Sequence, residues 1–209
     1  MIKNIIFDFD GVILESNEVK IQGFFKLFEQ FGEENSLKIS NYFKNNAGLS
    51  RYDIINYFFL VILNEEMDKI KLTEYANKYS DIVKESVVNS KFVIGIEKFL
   101  SQNTQYELFI VSSSDEKDLK YICNKLNIDK YFKSIIGSPT KKADNINNII
   151  NNFGLKKNET VYVGDSLNDY HATIKNDLTF IGRDSGLCDF TQLRDIIIIK
   201  DIDELNKYI

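Results

Sequence analysis

The sequence predicts an α/β protein: a doubly wound parallel sheet with a block of helices inserted after its first strand. Three observations carry this reading. From about residue 95 onward, short β-prone apolar runs alternate with amphipathic stretches at helical spacing. Nothing between residues 15 and 89 reads as a strand. The first apolar run, Ile5-Ile6-Phe7, leads straight into Asp8-Phe9-Asp10-Gly11, which puts acids at the strand end where open α/β sheets bind their ligands.

The elements follow in order. Ile5, Ile6 and Phe7 suit a strand buried on both faces, and Gly11 lets the chain turn away. After Val12-Ile13-Leu14, apolar residues Ile21, Phe24, Phe25, Phe28 and Phe31 recur at helical spacing up to Gly32, a suitable helix end. A second helix is predicted over 37–45, and Ala47-Gly48-Leu49-Ser50 reads as a turn and cap. Further helices are predicted over 52–63 and 65–88, with Phe24, Phe25, Tyr57 and Phe58 in the core of this block. Ile96, Phe99 and Leu100 suggest a helix leading to a strand over 107–111 and then Ser112-Ser113-Ser114. A helix over 115–126, a strand over 134–136 and a helix over 142–153 closed by Gly154 come next. A strand over 160–163 delivers Gly164-Asp165-Ser166, followed by a helix over 167–175 and strands over 178–181 and 196–199. Strands alternating with helices imply right-handed parallel crossovers. Residues 1–14 and 90–209 then form the α/β core, and residues 15–89 a separate helical unit.

With 209 residues, 44% of them hydrophobic, the chain has enough apolar surface for a substantial core. A net charge of -5 argues against a nucleic-acid-binding or polybasic membrane surface. Cys123 and Cys188 are far apart in sequence and without metal-ligand spacing, as expected of free buried thiols in a reducing cytoplasm. The start of the chain has no signal architecture, and the most apolar window, 54–63, is too short to span a bilayer. The expectation is a cytoplasmic protein, a monomer or weak homodimer.

Asp8 and Asp10 stand two residues apart at a strand end and face one crevice. Such a pair suits phosphoryl transfer through an aspartyl phosphate: one carboxylate attacks phosphorus, Mg²⁺ offsets the charge and the second carboxyl handles the leaving-group proton. The plain alternative is a strand end with solvated acids. Ser112, after another strand, offers its hydroxyl and nearby backbone N–H groups to a phosphate oxygen, or else caps the next helix. Lys141 and Lys142 open a helix, either to neutralise a transferring phosphoryl group or as a solvated pair. In Gly164-Asp165-Ser166-Leu167-Asn168-Asp169, two acids four residues apart in a first helical turn make a hard-cation site, although acids favour that position for dipole reasons too.

In this order, DxDG, a strand-terminal Ser, a Lys and GDSxxD resemble the haloacid dehalogenase superfamily of phosphohydrolases, across essentially the whole chain. The helical insertion matches the position of that superfamily's helical cap, and the chain looks most like the phosphoglycolate phosphatase and β-phosphoglucomutase branch. The resemblance implies a Rossmann-like core with Asp8 as nucleophile and Asp10 as general acid/base. Ser112 and Ser113 would bind the phosphoryl group. Asp165 and Asp169 would hold Mg²⁺ together with Asp8 and the backbone carbonyl of Asp10. Lys142 fits the family position better than Lys141, because the branch often reads Ser-Pro-x-x-Lys here; the usual Lys-Pro form is missing. Gly48-Leu49-Ser50-Arg51 resembles a substrate-contacting cap loop, in which Arg51 would grip a second anionic group. A surface arginine is the alternative. His171 reads as a bystander.

The function implied is a Mg²⁺-dependent phosphatase for a small phosphorylated metabolite, phosphoglycolate- or sugar-phosphate-like, with no nucleic-acid or membrane partner. A phosphomutase is the nearest rival, but the β-phosphoglucomutases carry a His in the first cap helix where this chain has Val19-Lys20. A dehalogenase would not need Asp10. A signalling receiver would have its phosphorylated Asp further into the chain and no helical insertion, and a silent phosphate-binding protein would not need every chemical position filled.

Overall fold

The computed structural model describes residues 1–193 and 196–209. Six parallel strands form one sheet: β1 (Asn4–Phe7), β2 (Glu107–Asp115), β3 (Ser134–Ser138), β4 (Thr160–Gly164), β5 (Thr179–Arg183) and β6 (Ile197–Ile199). Their order is β3-β2-β1-β4-β5-β6. The chain builds outward from β1 on one side, then returns to build on the other, so the order reverses at β1. Its carboxyl end opens into the crevice that such a reversal creates.

Eight α-helices accompany the sheet among the described residues: α1 (Asn17–Phe28), α2 (Glu33–Asn45), α3 (Arg51–Tyr57), α4 (Lys69–Val88), α5 (Ile96–Gln102), α6 (Glu116–Lys125), α7 (Lys142–Phe153) and α8 (Leu167–Lys175). The period-2 alternation of the central strands divides the core into two layers. Ile5 and Phe7 join Phe99, Leu119 and Ile122 of α5 and α6 on one face. Ile6 joins Ile146, Ile149 and Ala172 of α7 and α8 on the other. The sheet is covered on both sides, as its continuous apolar runs require.

Helices α1–α4 come between β1 and β2, packed around an aromatic centre in which Phe28 stacks on Phe58 with centroids 3.7 Å apart and Phe24 on Tyr79 at 4.1 Å. Phe24, Phe28, Phe58 and Phe59 are almost wholly buried, each contributing about 1.5–3 kcal/mol of transfer free energy. The chain enters and leaves this block side by side: Glu15 N donates to Lys91 O (2.8 Å) and Val93 N to Ile13 O (3.0 Å). Of the aromatics expected in its core, Phe24 and Phe58 are buried, while Phe25 and Tyr57 are only half-buried.

Several boundaries differ from expectation. The first helix starts at Asn17 and gives way to a 3₁₀ turn, Glu29–Phe31, and α2 starts at Glu33. The helix predicted over 52–63 ends at Tyr57 and passes into a π turn, Phe58–Ile62; Asn64 then takes a positive φ, and Asp68 caps α4 by accepting from Lys71 N. Strand β2 continues through the serines to Asp115, whose carboxylate accepts from Lys117 N and Asp118 N and starts α6. Cys123 is buried as expected, but Cys188 is only half-buried. Among the described residues no helix is long and apolar enough to cross a membrane.

Candidate active site

Asp8 continues the line of β1: its N–H donates to Val163 O at 2.8 Å, which carries the residue just past the sheet edge with its carboxylate buried. Gly11 then turns at φ +75°, and a Cβ there would collide with the Asp165 carboxylate and the Asn17 amide. Only glycine lets the two acid-bearing loops approach this closely.

Lys142, at the start of α7, points inward, whereas Lys141 beside it is exposed. The Lys142 Nζ lies 3.1 Å from Asp8 Oδ1 and also contacts Asp169 Oδ1. Asp169 is the third residue of α8 and closes a capping box with Ser166, while its Oδ1 also lies 3.0 Å from the Tyr162 hydroxyl. Both Asp169 oxygens are therefore engaged. Asp165 Oδ2 accepts from Asn17 Nδ2 at 2.7 Å.

Asp10 is held by other elements. Ser16 Oγ donates to its Oδ1 and Ser114 Oγ to its Oδ2, each at 2.6 Å, and Lys20 Nζ of α1 lies 3.3 Å from Oδ2. Lys20 also donates to Ser114 Oγ at 2.8 Å. Ser112 is buried and its Oγ accepts from Ser114 N at 3.1 Å; it lines the same cavity as Ser113.

These environments push the acids apart. Burial, reinforced by the negative charges of Asp169, Asp165 and Asp10, raises Asp8 well above the usual carboxylate range despite Lys142. Burial and the Asp169 charge raise Asp165 to about 7. Burial also works against ionised Asp10, but the Lys20 ammonium and the two serine hydroxyls outweigh it and hold that carboxyl below its ordinary value. For Lys142, burial opposes the charge, yet Asp169 and Asp8 more than compensate and hold its pKa up.

Asp8, Asp165 and Asp169 each offer an oxygen within 4.8 Å of the others, all buried. Asp8 Oδ1 has no aligned hydrogen-bond donor, Lys142 standing beside it only as an ion pair. A buried cluster of carboxylates that repel one another, with an orphaned oxygen among them, fits a small hard divalent cation.

The helical block roofs this site. Arg51, at the start of α3, is buried; its Nη2 donates to Asp118 Oδ2 at 2.6 Å and its Nη1 to Ala76 O at 3.2 Å. The guanidinium carbon sits 5.4 Å from the Tyr79 ring centroid. Ser80 Oγ donates to the same Asp118 oxygen at 2.5 Å. Gly48 meets α8, where Asn168 Nδ2 donates to Gly48 O at 2.6 Å. Asp8, Asp10, Ser112, Ser113, Lys142 and Asp165 thus share one cavity with Gly48 and Arg51. Asp169 stands behind Lys142, and His171 is exposed outside.

A model of the haloacid dehalogenase-like hydrolases matches residues 5–182. The chain belongs to the haloacid dehalogenase-like hydrolase family. Members of this family generally use Mg²⁺, in keeping with the buried aspartates. No curated protein matches the chain by sequence. Solved structures of similar fold include a predicted phosphatase from Clostridium acetobutylicum, 24% identical, covering 99% of this chain and 98% of that one with a TM-score of 0.78. A predicted phosphoglycolate phosphatase from Haemophilus somnus is 18% identical, with 99% and 97% covered and a TM-score of 0.76. A β-phosphoglucomutase from Clostridium difficile is 17% identical, with 98% and 93% covered and a TM-score of 0.78. At these identities the likeness speaks for the fold, a Rossmann-like haloacid dehalogenase fold.

Lys20, Asn17 and Asp118 are among the groups at the site that went unrecognised in the sequence. Lys20 counted there only as the absence of a histidine, yet it reaches Asp10 and Ser114. Asn17 holds Asp165, and Asp118 holds Arg51. Lys20 was the findable one: a lysine four residues before Phe24, on the buried face of an amphipathic helix, needs a partner.

Proposed function

We propose that the chain is a Mg²⁺-dependent phosphatase acting on a small phosphorylated metabolite through an aspartyl phosphate on Asp8. The observation that carries this reading is the pairing of a buried Asp8, ion-paired to Lys142, with an Asp10 held separately by Ser16, Ser114 and Lys20. Two carboxylates in such different surroundings suit two different roles. An Asp8 oxygen attacks phosphorus, and the P–O bond to the leaving group breaks with its electron pair going to that oxygen. Asp10 gives the leaving oxygen a proton that it must first take up from solvent, because its surroundings in the free protein hold it ionised. Asp10 then takes a proton from water as the water oxygen attacks phosphorus and the Asp8–phosphorus bond breaks. Lys142, Ser112 and the backbone N–H of Ser113 hold the phosphoryl oxygens. Asp8 and Asp165, with the backbone carbonyl of Asp10, would hold Mg²⁺, and Asp169 adds its charge while anchoring Lys142. When bound, Mg²⁺ supplies charge neutralisation that lets a carboxylate approach a phosphate dianion.

Residues 15–89 act as a cap over a core made of 1–14 and 90–209, and the contacts from Lys20, Gly48 and Arg51 to the core hold it shut and exclude water. The test is release of inorganic phosphate from p-nitrophenyl phosphate and a panel of phosphorylated metabolites, with Mg²⁺ and with EDTA. Release that needs the metal and is lost in Asp8→Asn is the expected result. No release from any of them overturns the reading.

A further inference from the structure

Among the described residues, three cationic side chains line the cavity: Lys20, Arg51 and Lys142. Each already has its counter-charge, Lys20 in Asp10, Lys142 in Asp8 and Asp169, and Arg51 in Asp118. Arg51 is the telling one. Its positive charge is already balanced by Asp118, and drawing the guanidinium away toward a substrate anion would strand a buried carboxylate whose remaining hydrogen-bond donor is Ser80. Phe24, Phe43, Ala47, Leu49 and Leu187 give the cavity an apolar share of its lining. The enclosed space is about 50 Å³, room for only a few waters. A transferring phosphoryl group finds Lys142 and the serines, whereas a second anion would meet apolar lining and a guanidinium whose charge Asp118 already cancels.

Taking the phosphatase reading as given, we infer that the site selects phosphate monoesters of small uncharged alcohols and rejects esters whose leaving group carries a carboxylate or a second phosphate. The Arg51–Asp118 pair is the specificity determinant: it supplies the polar surface of the roof while cancelling its charge. Arg51 therefore works in the fold and in selection, and does not grip a distal anion.

Glycerol 3-phosphate and 3-phosphoglycerate test this, since they differ in a CH₂OH against a carboxylate at one position. Each is measured as a competitor of p-nitrophenyl phosphate hydrolysis in the presence of Mg²⁺. In the wild type the alcohol ester should compete at least about tenfold more tightly. Asp118→Asn keeps the shape and an acceptor for Ser80 but uncovers the guanidinium charge, and should shift the ratio toward the carboxylate by about tenfold. Equal or tighter competition by 3-phosphoglycerate in the wild type, or no competition by glycerol 3-phosphate at millimolar concentration, overturns the inference. An unchanged ratio in an Asp118→Asn protein of near wild-type melting temperature also overturns it. The wild-type ratio stays decisive if that variant does not fold. A wild type inactive on p-nitrophenyl phosphate removes the phosphatase reading itself, whereas an active enzyme that prefers the carboxylate removes only the charge selection.

Discussion

Asp165→Asn should make the metal-free protein more stable, even though it removes a proposed metal ligand. Asp165 is almost wholly buried, and burial together with Asp169 raises it from an ordinary value near 3.8 to about 7. A carboxyl whose folded pKa lies above its unfolded one contributes full stability only below the unfolded value, near 4, and loses it as pH rises through about 7. At pH 8 the ionised group then costs up to about 4 kcal/mol, at about 1.4 kcal/mol per tenfold change in ionisation. The amide carries no charge, and its oxygen still accepts from Asn17 Nδ2 as the carboxylate does at 2.7 Å. In EDTA at pH 8 the variant should therefore melt higher, by up to roughly 10 °C for a chain of this size. The gain should shrink toward pH 5 and disappear near pH 4, and saturating Mg²⁺ should reverse the order, because the cation binds the wild-type site better. Differential scanning calorimetry of both proteins from pH 4 to 8, with EDTA and with Mg²⁺, reads all of this. A variant equal to or less stable than wild type at pH 8 in EDTA would refute the account of Asp165 as a repelled, buried charge.

Asp8→Asn should abolish turnover and leave no acid-stable phosphoenzyme in single-turnover experiments, because a neutral amide does not attack phosphorus. Asp10→Asn should slow formation of the phosphoenzyme far more with an alkyl phosphate than with p-nitrophenyl phosphate, by a factor within the roughly 10²- to 10⁴-fold typical of general acid help; equal losses would mean that Asp10 only supports the site. Lys20→Met should lower kcat about 10- to 100-fold through a misplaced Asp10. Because Lys20 helps hold the Asp10 carboxyl low, the same variant should move the Asp10-dependent limb of the pH–rate profile upward, and an unmoved profile would disconnect the two. Lys142→Met leaves Asp8 and Asp169 without their shared cation and should cost about 3–5 kcal/mol in denaturant unfolding at neutral pH, less in acid where the carboxyls protonate.

The parallel sheet was legible because every interior strand is a short apolar run that ends on a turn or a polar residue, and β1 is the clearest case. Asp8, Asp10 and Asp165 were legible for the same reason, since a strand's end fixes where the next side chains go. What escaped was contact across the chain. Asp118 sits on α6 with nothing local to mark it, and its meeting with Arg51 depends on how α3 and α4 lie over the sheet. Arg51 stood out in the sequence, but its partner sits 67 positions away and no spacing rule reaches that far. The break after Tyr57 was hidden because Phe58-Phe59-Leu60-Val61-Ile62 continues an apolar run, while tertiary packing of Phe58 and Phe59 decides the backbone there. The strand expected to end at Val111 continues to Asp115, which pairs with Ser138 across a register shift.

The segment from Ser114 to Asp118 receives Lys20 from α1, Arg51 and Tyr52 from α3 and Ser80 from α4, and every one of these ties is polar. A seam of that chemistry parts differently from a greasy one. Each of these polar contacts, when broken, is exchanged for hydrogen bonds to water on both sides. The aromatic centre of the helical block, by contrast, stays within its own helices when the seam opens. One five-residue segment thus carries polar ties to three of the four helices of the block.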